Sequence, residues 1–190
     1  MTDSRDDTIE LRIGKVERTA DALHVEATLR NVGTAPRWVF DRLFHTQPSG
    51  HYRLDDSLAY VEEQGGVLLL SRKLHPVPPG LSVEFPEIPC VSRLAPGASR
   101  EQRIRVSLPA RVRVPYSQGA RGPVSTESLQ GLRLQWGVFP DVEGLHFYRG
   151  RDVDGQEFQY PAYGGALAAQ RIIDSGPLSF PCATARQPGR

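Results

Sequence analysis

Lysine is nearly missing from this chain of 190 residues. Lys15 and Lys73 are the only two, so almost all of its positive charge is arginine. That bias reads as the imprint of a GC-rich genome rather than of chemistry. Cysteine is scarce as well: Cys90 and Cys182 each follow a proline and lie far apart, which predicts two free thiols rather than a disulfide framework. Neither sign of charge dominates, with Lys+Arg 23 against Asp+Glu 22. No whole-molecule field therefore argues for nucleic acid or an anionic membrane as partner. No apolar run approaches the roughly 18 residues of a membrane span. The opening MTDSRDDTIE has neither a basic start nor an apolar stretch, so the expectation is no secretory signal and a cytoplasmic location.

What is present is strand patterning. With 39% hydrophobic residues the chain has enough apolar side chains for a core of its own. In Ala22 to Phe44, Leu23, Val25, Ala27 and Leu29 share one parity and His24, Glu26, Thr28 and Arg30 the other, as a strand with one dry and one wet face requires. Asn31-Val32-Gly33-Thr34 supplies turn chemistry. Beyond Pro36, Trp38, Phe40 and Phe44 fall on one parity and Val39 and Leu43 on the other, which predicts a central strand covered on both faces.

The rest of the chain repeats this grammar. Ile9, Leu11 and Ile13 alternate until Gly14 shifts the parity to Val16, the mark of a bulge. The segment from His45 to Asp56 is polar and turn-rich and reads as a loop. Gln64-Gly65-Gly66 and Asp154-Gly155 read as hairpin turns. The prolines between Pro76 and Pro89 exclude a regular central strand there. Ile104, Val106 and Leu108 alternate, as do Leu132, Leu134, Trp136 and Val138, while 110–130 reads as a long loop. Residues 166–174 fit either a short helix or a last strand. Trp38, Phe40, Trp136 and Phe139 are the expected packing between sheets.

Short strands punctuated by turns predict an all-β fold, an antiparallel β-sandwich of Greek-key type with long loop insertions and at most one short helix. Its single domain is expected over 8–180, with 1–7 and 181–190 disordered. TLRNVGTAP (Thr28 to Pro36), followed later by LAPGAS (Leu94 to Ser99) leading into an alternating strand, resembles bacterial immunoglobulin-like modules. These are the cell-adhesion-related and intracellular proteinase-inhibitor-like domains, in which an N-x-G turn follows one strand and an L-x-P-G turn precedes another. The resemblance implies an immunoglobulin-like fold and little about function.

Candidate chemistry is sparse. Arg100, Arg103, Arg105, Arg111 and Arg113 form the strongest charge feature, opposed only by Glu101. They would serve an acidic partner or a phosphate if the strand ran through Pro109, or simply a solvated strand face that discourages edge pairing. His45 and His51 beside Asp41, Asp55 and Asp56 hold metal-ligand atom types without a recognised spacing. Asp152-Val153-Asp154-Gly155 is superficially like a calcium loop but is accounted for by its turn. G-x-S-x-G, P-loop and dinucleotide motifs do not occur.

The leading expectation is thus a non-enzymatic module without cofactor or metal. It would bind another protein, or itself, through its long loops or an exposed sheet edge, with Arg111, Arg113, Tyr116 and Arg121 in or beside the long loop as the candidate residues. A hydrolase or metal-dependent site assembled from residues 45–56, and an anion or oligosaccharide binder using the face that carries Arg103 and Arg105, are the alternatives.

Overall fold

The computed structural model describes residues 8–117 and 122–182. In chain order it opens with β1 (Ile9–Arg18), β2 (Ala22–Asn31), β3 (Arg37–Thr46), β4 (Tyr52–Asp55), β5 (Tyr60–Gln64) and β6 (Val67–Arg72). Next come β7 (Cys90–Leu94), β8 (Ser99–Ser107), β9 (Ala110–Arg111), β10 (Pro123–Val124) and β11 (Gly131–Pro140). The chain ends with β12 (Phe147–Arg151), β13 (Glu157–Pro161), helix α1 (Tyr163–Ala169), β14 (Arg171–Asp174) and β15 (Leu178–Ser179). The fold is all-β with one short helix, as the patterning requires.

A three-stranded antiparallel sheet, β1-β2-β8, forms one layer. Its inward faces are the predicted ones: Leu23, Val25, Ala27 and Leu29 are buried, with Ile104 and Val106 beside them. The bulge lies between Ile13 and Val16, at Gly14. The second sheet is organised around β11. Gln135 is paired with Ser71 and Asp174 at once, and Val138 with Val39 and Arg171. Strands β6 and β3 therefore share one side of β11 in succession, while β14 lies along the other. β7 extends the sheet beyond β3.

One pairing departs from the expected antiparallel plan. β6 runs parallel to β11, in register from Val67↔Gly131 to Arg72↔Trp136. Parallel neighbours need a long crossover, and the chain between them supplies it by passing through β7 and β8. A second departure concerns the aromatics. Of the four expected between the sheets only Trp136 is there, with Val39, Val138, Leu68, Leu70 and Leu132. Trp38, Phe40 and Phe139 point the other way, into a smaller core with Leu74, Val91 and Ala166. Strand parity is the cause: Val39 faces inward, so its neighbours must face outward. Helix α1 and β12 cover that outer face through Leu167 and Phe147, so β3 is covered on both sides as its pattern requires.

Residues 45–56 are less of a loop than expected. β3 continues to Thr46 and returns as β4 with Phe44 opposite Leu54, and the Phe44 and Tyr52 rings lie 4.4 Å apart. Segment 166–174 contains both alternatives, the end of α1 and then β14. The Asp154-Gly155 turn joins β12 to β13. Asp152 Oδ1 accepts the N–H of Asp154 at 3.0 Å and of Gln156 at 2.8 Å, and Oδ2 accepts that of Leu54 at 3.1 Å. This carboxylate thus organises the turn and fastens the hairpin to β4. Gly137 marks where β11 passes from β6 to β3: a Cβ there would collide with Gln170 Oε1 and lie 2.9 Å from the Phe40 ring.

Candidate functional site

Strands β7 and β13 border a cavity. Among the described residues β7 is paired only with β3, and β13 only with β12. Both contribute to a cleft of about 700 Å³. Val91, Ser92 and Arg93 form one wall and Glu157, Phe158 and Gln159 the other; Arg42 of β3, Arg100 of β8 and Arg149, Gly150 and Arg151 of β12 complete it. Gly150 is a requirement of shape, since a Cβ there would sit 2.7 Å from Phe158 Cζ. The Phe158 ring lies over it and continues a chain of aromatic contacts, 6.4 Å to Tyr52 and 6.2 Å to Tyr160, with Tyr160 5.3 Å from Tyr148. Such pairs stiffen the hairpin that carries Arg149 and Arg151.

The electrostatics favour an anion. Five arginines line the cleft, and three carboxylates answer them. Glu157 pairs with Arg151 at 2.8 Å, Asp141 with Arg93 at 2.9 Å, and Asp41 touches Arg100 from behind. Asp141 also accepts the Trp38 indole N–H at 2.9 Å. That bond, with Arg93, holds its carboxyl below the usual range, so the pair positions Arg93. Among the described residues Arg149 has no acidic partner within ion-pair distance. Guanidinium groups present rigid forks of N–H donors suited to carboxylate and phosphate oxygens.

Beneath the cleft lies a buried polar centre. The Asp41 side chain is 0% exposed. Neither of its oxygens receives a well-aligned hydrogen bond, so it is held by charge: Arg100 Nε against one oxygen, Arg42 Nε 3.9 Å from the other. Burial pushes its carboxyl up; Arg100, the nearby Ser92 hydroxyl, Arg42 and Arg72 oppose that in this order, and burial wins. Cys90, at the head of β7, is buried and its thiol is pushed up to about 12 by burial, so it offers no thiolate.

The residues singled out from the sequence scatter. Arg103 and Arg105 project from the exposed face of β8, Arg103 3.3 Å from Glu101 and Arg105 3.9 Å from Asp21. Past Pro109, Arg111 is exposed on β9. Arg113 turns inward instead, giving its Nη2–H to the Phe44 carbonyl at 3.0 Å while its backbone bonds Val61. The Tyr116 hydroxyl accepts the Glu87 N–H at 3.0 Å. Arg121 lies outside the described residues. Of the 45–56 alternative, His45 Nε2 meets Asp55 Oδ2 at 3.3 Å and His51 Nδ1 meets Ser49 at 3.2 Å. Among the described residues no group of three or more His, Cys, Asp or Glu is placed to hold a metal ion. The cleft arginines, by contrast, come from β3, β7, β8 and β12, and only Arg149-Gly150-Arg151 leaves a local trace in the sequence.

No protein-family model, curated protein or solved structure matches this chain. Among the described residues no helix is long and apolar enough to cross a membrane.

Proposed function

We infer that this chain is a non-enzymatic, cytoplasmic binding module of immunoglobulin-like type that takes an extended, acidic segment of a partner protein into the arginine cleft. The observation that carries the reading is the convergence of five arginines from four strands on one cleft bordered by β7 and β13. Guanidinium groups lining a cleft bind the side-chain carboxylates of a segment laid along it. The immunoglobulin-like assignment is supported by strand order: β1-β2-β8 faces β14-β11-β3-β7, the succession A-B-E facing G-F-C-C′.

The test is fluorescence anisotropy with a rhodamine-labelled hexaglutamate peptide. Arg149→Ala and Arg151→Ala are each expected to weaken binding about five- to tenfold, the scale of a lost charge-assisted contact. Arg111→Ala, on β9, should leave it unchanged. The reverse result would move the site to the long loop. Binding of inorganic phosphate but not of the peptide would favour a small-anion receptor instead.

A further inference from the structure

Resting on that reading, we propose that Asp41 is a built-in counter-ion which an incoming anion displaces from Arg100 and Arg42, so that ligand binding at the cleft takes up a proton onto Asp41. The geometry makes two arginines serve two sides. Arg100 and Arg42 line the cleft, and both reach back to a carboxylate that is itself walled off from solvent. An anion bound to the same guanidinium groups competes with Asp41 for their charge.

The groups facing Asp41 come from four strands. Arg42 is its neighbour on β3; Arg72 of β6 donates Nη1–H to its backbone carbonyl at 2.6 Å. Ser92 of β7 and Arg100 of β8 complete the set, and the Asp56 backbone carbonyl lies across Arg72. Cys90 nearby is a neutral thiol. Burial disfavours the Asp41 charge, while Arg100, Arg42 and Arg72 favour it. Once a ligand draws Arg100 outward and adds negative charge beside the site, the same burial acts with less opposition and the neutral acid gains. The proton comes from solvent, and the anion replaces the lost carboxylate charge. Linkage then requires affinity to rise as pH falls.

The experiment is isothermal titration of the full chain with a hexapeptide of cysteic acid, whose sulfonates keep their charge from pH 5 to pH 8. Titrations use buffer pairs of differing ionisation heat. Affinity is expected to tighten about threefold or more from pH 8 to pH 5, with proton uptake visible as buffer-dependent heat. Asp41→Asn should flatten the profile and bind at pH 8 at least as tightly as the wild type. No histidine lines the cleft; Glu157 and Asp141 pair with Arg151 and Arg93, so the comparison with Asp41→Asn is what separates their contribution from that of Asp41. A flat wild-type profile, or an unchanged slope in Asp41→Asn, overturns the inference. If the variant does not fold, the wild-type heats decide alone: no proton uptake overturns it. Absence of binding at every pH would instead remove the cleft reading itself.

Discussion

Arg72 Nη1 donates to Gln102 Oε1 at 2.8 Å, in the interior and across the two sheets. Trp136 Nε1 gives its hydrogen to the same oxygen at 3.2 Å. The rest of the Arg72 fork is spent on backbone: Nε on Leu58 O at 2.8 Å, and Nη2 on the carbonyls of Asp56 and Arg103. Burial lowers this arginine to about 10, so at neutral pH it is still a cation. A single guanidinium thus joins β6, β8, β3 and the turn after β4.

The first prediction concerns that junction. Arg72→Met leaves several buried acceptors without a donor, and Arg72→Lys cannot match the planar fork. Each is expected to lose at least about 3 kcal/mol in urea denaturation. Recovery of wild-type stability by Arg72→Lys would show that charge alone matters there.

Gly137→Ala tests the crossing on β11. The added methyl would meet Gln170, which itself receives the Leu74 N–H at 2.8 Å and donates to the Leu74 carbonyl at 3.0 Å. A loss of about 1–3 kcal/mol is expected, the scale of overpacking. A neutral result would mean that Gln170 swings away at little cost.

His75 predicts a pH effect. Burial, with Lys73 adding to it, lowers its imidazole from 6.5 to about 4. Its Nε2 is buried without a partner, and its ring stands edge-on to Tyr60 at 4.9 Å. The folded protein therefore resists a proton that the unfolded chain accepts. The stability that the neutral ring contributes is present above pH 6.5 and is lost as pH falls from 6.5 toward 4. Urea midpoints across that range should fall more steeply for the wild type than for His75→Leu, and parallel profiles would refute the assignment.

The thiols should separate cleanly. Cys182 is exposed and Cys90 buried, with its thiol pushed up to about 12. Under native conditions at pH 8 iodoacetamide should label Cys182 alone, and Cys90 only after denaturation, as read by peptide mass. Rapid native labelling of Cys90 would mean that β7 opens readily.

What the amino-acid order determined by itself is local. Alternation gave away β1, β2, β8 and β11 because a half-buried strand must place every second side chain in the core. The two-glycine turn at Gly65-Gly66 and the Asp154-Gly155 turn announced their hairpins because each holds glycine in the left-handed region, at φ 58, 82 and 81. The double coverage of β3 was legible for the same reason. Which aromatic faced which core was not, since parity says that Trp38 and Val39 point apart without saying which layer each will meet. The parallel pairing of β6 with β11 left no trace either, because register between distant strands is set by the whole core rather than by any short segment. The cleft belongs to the same class. Arg42, Arg93, Arg100, Arg149 and Arg151 have no common spacing, and their charge is concentrated only when four strands bring them together. Asp41, in the sequence one of the metal-ligand types beside His45 and His51, becomes a carboxylate wholly enclosed beneath two of those arginines. Periodicity records how each strand meets water, whereas a site assembled across sheets exists only once tertiary packing has chosen the neighbours.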